Sequence, residues 1–363
     1  MSVLVLGACG EIGRAICQDL AASCGQVVLG DVREKDGREL AARLGSGASF
    51  RRVDVRDREG LARVLAGHAV VVNCIGPYFA FGTTVAEACL EAGTHYVDVC
   101  DDHDVTESLL ALGGAARERG LVFLINMGAS PGLTNLMARM GADGLDTVRR
   151  VRVLWYEDTG ETIGLGQLMH WAHIAMGRVP TYAGGRWREV RALSQREVVT
   201  FPEPCGAVPV FHVGHPEPMT IPRFIKAQEV CCKGGILPES DITLTRVLDR
   251  VLVVKTAGTI RLLARVVLRF LPLLSGDTRG RQIRSAFRTD VEGTKGGKPV
   301  SRSRCVVGEV AALTGVPASI AAQLISGGRI RAAGVFPPEG CPDLPVETFL
   351  EELAKRGIRI QDT

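Results

Sequence analysis

Apolar runs and amphipathic stretches alternate with almost no interruption through the first third of the chain. The apolar run 2–6 gives way to a glycine turn and a helical pattern over 14–22, then to a second apolar run, 27–30, that ends on Asp31. Helical periodicity over 34–44, 59–65, 83–92 and 105–119 separates strands at 49–53 and 95–99 and further apolar runs at 69–75 and 121–125. Near-continuous apolar strands separated by helices read as a parallel sheet covered on both faces. The pattern predicts an α/β, six-stranded, doubly wound Rossmann domain over residues 1–128.

The pattern changes after Asp143. Residues 148–155 alternate, with Val151, Val153 and Trp155 on one side and Arg150 and Arg152 on the other, the mark of a half-exposed strand. Hairpin turns are predicted at 182–187 and 292–298 and helices at 164–177 and 241–274. Together they describe a second, α+β domain over 129–305, built on an antiparallel sheet that would serve substrate binding and dimerisation. Residues 306–363 read as a helical tail returning to the first domain, with helices at 306–313, 317–325 and 345–356.

The first strand breaks directly into Gly7, Ala8, Cys9, Gly10, Glu11, Ile12 and Gly13. Glycines at such a turn let the main chain approach a pyrophosphate, and the helix that follows points its free N–H groups at the same phosphates. Asp31 stands eighteen residues beyond Gly13, where a carboxylate accepts ribose hydroxyls. The first glycine interval holds two residues rather than one, which leaves this geometry intact. A nicotinamide cofactor follows, either NAD or NADP. Asp31 would repel a 2′-phosphate and favours NAD, whereas Arg33, Arg51 and Arg52 offer an arginine clamp for NADP or are plain surface charges; the balance leans to NAD. Ligands of such sheets lie beyond the strand ends, which adds Val32, Asp54, Val55, Ile75, Gly76 and Pro77 to the cofactor list.

Composition removes several other classes. A formal net charge of +3 and 5% aromatic residues offer no electrostatic or stacking surface for nucleic acid. The eleven cysteines lack a Cys-x-x-Cys pair and suit reduced, buried thiols. His170 and His173 share a helix face without an evident third ligand, so no metal is expected. Segment 259–274 is very apolar, but Arg261, Arg265 and Arg269 interrupt it well short of the roughly 20 residues a spanning helix needs. It reads as an amphipathic helix packed on a core or on a neighbouring subunit. No signal peptide or membrane span is expected, and the location expected is cytoplasmic.

Several stretches resemble the saccharopine dehydrogenase-like oxidoreductases: the glycine turn, NCIGPY at 73–78, HYVD at 95–98, GASPGLTN at 128–135, DVEGTKGGKPV at 290–300, TGVPASIAAQLI at 314–325 and GVFPPE at 334–339. They span nearly the whole chain in order; residues 160–280 match only loosely. The group includes saccharopine reductases, lysine 6-dehydrogenases and carboxynorspermidine dehydrogenases. The resemblance implies hydride transfer between a nicotinamide and a carbon–nitrogen bond, a catalytic cleft between the two domains and a homodimer formed through the second. Where some members carry Asp-Pro-Gly, this chain has Ser130-Pro131-Gly132, and Asp101 stands in place of a tyrosine. Both departures point away from saccharopine itself and toward a smaller amine or amino acid.

Such a reaction needs a carboxylate near the developing iminium and a group to take the ammonium proton. Asp98, Asp101, Asp102 and His103 cluster at one strand end. Asp101 is the first candidate for the iminium partner and His103 for the proton shuttle, with Asp98 and Tyr78 as further catalytic candidates. The same cluster also reads as a solvated loop with an Asp helix cap. Ser130 and Asn135 bracket a helix start that would grip the substrate or the nicotinamide amide; simple capping is the plainer reading. Arg223 is a candidate for a substrate carboxylate, and His215 for the same site. The competing class is a nicotinamide-binding sensor or scaffold without turnover.

Overall fold

The computed structural model describes residues 2–24, 26–158, 165–237, 239–251, 262, 264–265 and 284–363. The chain divides into two compact units. The first comprises 1–140, 223–225 and 310–360; the second comprises 141–222, 226–309 and 361–363.

In the first unit, strands β1 (Val3–Leu6), β2 (Val27–Asp31), β3 (Ala48–Arg52), β4 (Val70–Asn73), β5 (His95–Asp98) and β6 (Val122–Leu124) are joined by helices. These are α1 (Glu11–Cys24), α2 (Glu34–Leu44), α3 (Arg58–Leu65), α4 (Tyr78–Ala92), α5 (His103–Ala111) and α6 (Gly113–Glu118). All strand pairs are parallel. Every residue of β1 and β4 is buried, which is why those runs are uniformly apolar rather than alternating.

The sheet has seven strands, not six. The tail supplies β15 (Gly334–Phe336), which pairs with β6 and gives the order β15-β6-β5-β4-β1-β2-β3. Two further boundaries differ. Helix α4 begins at Tyr78, directly after Pro77, and the single helix predicted over 105–119 is broken between α5 and α6 at Leu112, ahead of Gly113 and Gly114.

The second unit is built on a nine-stranded sheet: β7 (Thr147–Asp158), β8 (Arg178–Ala183), β9 (Trp187–Arg191), β10 (Glu197–Phe201), β11 (Gly206–His212), β12 (Ala227–Leu237), β13 (Ser285–Lys295), β14 (Lys298–Gly308) and β16 (Gln361–Asp362). Both predicted hairpins form, β8–β9 and β13–β14. The sheet is mixed rather than purely antiparallel, because β12 runs parallel to its neighbour β7. Nor is β7 half-exposed along its whole length: Val153, Leu154, Trp155 and Tyr156 are all buried. Leu154 and Tyr156 face a core made with Val199, Phe201, Val208, Val210, Ala286 and Cys305. Helices α7 (Leu133–Ala142), α8 (Leu165–Ala175), α9 (Glu217–Phe224) and α10 (Glu239–Val251) complete the middle of the chain.

After β14, which takes in 306–308 as strand instead of helix, the tail forms α11 (Val310–Ser326) and α12 (Val346–Lys355). Pro317 sits inside α11 without dividing it. Asp19 of α1 ties these helices down, taking hydrogen bonds from Ser319 Oγ at 2.6 Å and from Arg356 Nε at 2.6 Å. Only Leu262, Ala264 and Arg265 of the arginine-striped segment are described, so its amphipathic reading lies outside the described residues. Among the described residues no helix is long and apolar enough to cross a membrane.

Candidate active site

The N-terminal turn is held in place by main-chain bonds. Gly7 (φ +83°) donates its N–H to Gly30 O at 2.8 Å, and Gly10 donates to Gly7 O at 3.0 Å. A Cβ on Gly7 would stand 2.8 Å from Cys74 O, and one on Gly13 would stand 2.2 Å from Gly7 O. Both positions therefore demand glycine: Gly7 for its backbone angle and contact, Gly13 for the approach of α1 to the turn. The first-turn N–H groups of Glu11, Ile12 and Gly13 have no carbonyl partner within their own helix and carry the positive end of its dipole. This cradle of glycine, main-chain amides and helix terminus fits the pyrophosphate of a dinucleotide.

Asp31, at the end of β2, has a second task. Its Oδ2 accepts the Cys9 N–H at 3.0 Å, and its Oδ1 accepts the Arg33 N–H at 3.0 Å and Arg33 Nε at 3.2 Å. Burial works to raise this carboxyl, but the hydrogen bonds from Arg33 and the Cys9 amide outweigh it and hold it below the usual carboxylate range. Asp31 thus shapes the turn while keeping its charge. Arg33 is half-exposed beside it, and Val32 is exposed. Asp54 pairs with Arg56 at 2.6 Å, and the hydrogen bonds from Arg56 bring its carboxyl down to about 2. Val55 is buried. Ala8 donates to Gly30 O, and the Cys9 thiol is pushed up to about 11 by burial and by Asp31, so it remains protonated. Ile75 donates its N–H to Asn73 Oδ1 at 3.1 Å at the end of β4, leading into the cis Gly76–Pro77 peptide.

Four further candidates, Asp98, Tyr78, Asn135 and His215, are buried. Asp98 is fully buried, and its Oδ1 accepts the N–H groups of Cys100 at 3.0 Å and Asn126 at 2.7 Å. Burial pushes its carboxyl up to about 6, and its hydrogen bonds brace the ends of β5 and β6. Tyr78 is also buried; its hydroxyl donates to Asn73 O at 2.6 Å and accepts from Val99 N at 3.3 Å, which fixes the ring as structure. Asn135 turns back on its own loop, with Oδ1 accepting the Gly132 N–H at 2.9 Å. His215 is buried in the second unit and stacked on Trp155 at 5.2 Å, so it is part of that interior.

Asp101 and His103 are half-buried in the segment between β5 and α5. Asp102 is wholly buried and secures this segment by accepting the Phe79 N–H at 2.8 Å, which fixes it to the start of α4. As the N-cap residue of α5 it makes no side-chain cap bond. Ser130 is half-buried ahead of its cis peptide to Pro131. Arg223 reaches Glu107 of α5 at 3.4 Å within the first unit.

Asn126 was not among the sequence candidates. It adopts φ +58°, and its side-chain amide donates to Cys100 O at 2.7 Å and to Thr106 Oγ1 at 2.9 Å. An asparagine directly after a buried strand is the available signal, since Asn tolerates the left-handed region.

A parallel sheet, a glycine cradle and an acid at the end of the second strand define a dinucleotide-binding domain. Residues 3–124 match the family described as saccharopine dehydrogenase NADP binding domain. Curated saccharopine dehydrogenase-like oxidoreductases of Rattus norvegicus and Mus musculus are each 27% identical to the chain over 157 residues, covering 38% of it. That match takes in 36% of each relative's length. The fold is similar to that of apo saccharopine dehydrogenase (L-Glu forming) from Saccharomyces cerevisiae, with a TM-score of 0.70 at 16% identity, covering 100% of this chain and 99% of that one.

Proposed function

We propose that the protein transfers a hydride between a nicotinamide cofactor and a carbon–nitrogen bond of an amine or amino acid. The observation that carries this reading is the cradle of Gly7, Gly10 and Gly13 at the N-terminus of α1, with Asp31 fixed beside it. Gly7 through Gly13 would hold the pyrophosphate, and Asp31, Val32 and Arg33 would border the adenosine ribose. Asp54 and Val55 would lie toward the adenine, and Ile75, Gly76 and Pro77 would flank the nicotinamide half. The charge held on Asp31 favours NAD over NADP, because a 2′-phosphate would meet a carboxylate.

The bound nicotinamide supplies the hydride donor or acceptor. The protein supplies the rest. Asp101 would stabilise the positive charge that develops as an amine becomes an iminium. His103, two residues on, would take the ammonium proton. Asp102 would position both by anchoring their segment through the Phe79 amide. Ser130 and Arg223 would contact the substrate, Arg223 through a carboxylate if the substrate is an amino acid. A homodimer through the second unit belongs to the same reading.

The test is turnover of the purified chain with NAD and with NADP across lysine, saccharopine, polyamine precursors and smaller amines. Reduced nicotinamide should accumulate with at least one of them, and Asp101→Asn should lose turnover while retaining coenzyme binding. Binding without turnover on any amine, in either direction, would contradict the reading and leave a sensor.

A further inference from the structure

His215, Glu217 and Cys232 are brought together in the interior of the second unit. One ligand atom from each lies within 4.8 Å of the other two. Burial is nearly complete: His215 is 4% exposed, Glu217 0% and Cys232 1%. The arrangement is built by the fold. Cys232 sits on β12 beside Val153 of β7, and its carbonyl accepts the N–H of Val213 at 3.4 Å. Gly214 donates to Ile174 O of α8 at 2.8 Å, so the segment after β11 is pinned on both sides before it delivers His215 and Glu217.

We infer that His215, Glu217 and Cys232 form a binding site for a transition-metal dication, with Zn²⁺ the ion whose chemistry fits. A thiolate, an imidazole and a carboxylate are the donors zinc takes, whereas magnesium and calcium prefer oxygen alone. Tetrahedral zinc spaces its ligand atoms by roughly 3.3–3.8 Å, so the three side chains need only close slightly. Charge balance argues the same way. One dication neutralises Glu217 and a Cys232 thiolate together, whereas a protonated His215, 3.8 Å from Glu217, supplies only one charge.

The surroundings also suit a metal-bound sulfur. The indole N–H of Trp155 is buried without a hydrogen-bond partner, while the Trp155 ring stacks on His215 at 5.2 Å. Binding the ion as a thiolate complex releases the Cys232 thiol proton to solvent. Three protein donors leave one tetrahedral position for water. His170, with its ring 5.9 Å from that of His215, lies on the near side of α8.

The test uses the full-length, tag-free chain stripped with a chelator and titrated with cobalt(II) alone. One equivalent per chain should bind with a tetrahedral visible spectrum and a sulfur-to-cobalt charge-transfer band, and zinc should displace it. Cys232→Ser should abolish the charge-transfer band and Cys231→Ser should retain it. Glu217→Gln should weaken cobalt binding at least tenfold. X-ray absorption of the wild-type zinc form needs no variant to fold: it should show one sulfur at about 2.3 Å with nitrogen or oxygen donors. Absence of stoichiometric binding, absence of a sulfur scatterer, or a charge-transfer band that survives Cys232→Ser would each overturn the site.

Discussion

Asp31 fixes the local fold and, in the proposed function, also borders the coenzyme ribose. Its carboxylate fixes the Cys9 amide and Arg33, and the same charge stands where the adenosine ribose of a bound coenzyme would lie. Asp31→Ala should therefore weaken NADH at least tenfold in a fluorescence titration, since charge-assisted hydrogen bonds contribute about 1.5–3 kcal/mol. It should weaken NADPH less, so the preference for NADH shrinks; equal losses for both would count against Asp31 as the discriminating group. Asp98 carries a different prediction. Its folded-state value lies near 6, above its ordinary 3.8, so the native state binds the extra proton between those values. Stability falls as pH rises through this window, and the penalty is complete above it, on the order of 3 kcal/mol. Asp98→Asn should remove that slope in denaturant unfolding followed from pH 4 to pH 7, and profiles that stay parallel to wild type would contradict it. The residue scale is also where sequence reading was weakest. Asp98, Asp101 and Asp102 look alike along the chain, and only burial separates a brace, a half-buried acid and an anchor for the Phe79 amide.

Among the elements, those with a local cause were legible. Strands β1, β2 and β4 could be read because burial makes a near-continuous apolar run, and α1 because glycines and a 3.6-residue period mark it. Those with a distant cause were not. Strand β15 has three residues and exists because β6 offers an open edge, and the parallel pairing of β12 with β7 joins segments far apart in sequence. The start of α4 was hidden because Gly76 and Pro77 read as a turn with no helical period behind them. Helix α11 shows that a proline need not divide a helix when the flanking residues are buried on its neighbours. The contacts of Asp19 with Ser319 and Arg356 make a further prediction. Arg356 also reaches Glu352 at 2.5 Å and Ser23 at 2.9 Å, and its side chain is largely buried. Arg356→Ala should cost about 2 kcal/mol in unfolding while leaving coenzyme affinity within about twofold, because the clasp lies away from the cradle. A large loss of affinity with unchanged stability would contradict this structural role.

For the whole molecule, the sequence showed two kinds of sheet, and the structure shows how the chain is shared between them. The parallel unit takes 1–140 and most of the tail, while the last residues, 361–363, belong to the mixed-sheet unit through β16. Any ligand that binds only the folded chain raises its apparent stability, by about 2.7 kcal/mol at one hundred times its Kd. The account rests on the glycine cradle binding a nicotinamide dinucleotide, and calorimetric titration of the full chain with NADH and NADPH tests this most directly. One coenzyme per chain should bind, NADH more tightly, and Gly13→Val should abolish binding because its side chain would collide with the Gly7 carbonyl. No heat of binding with either coenzyme, from protein shown to be folded, would contradict the account.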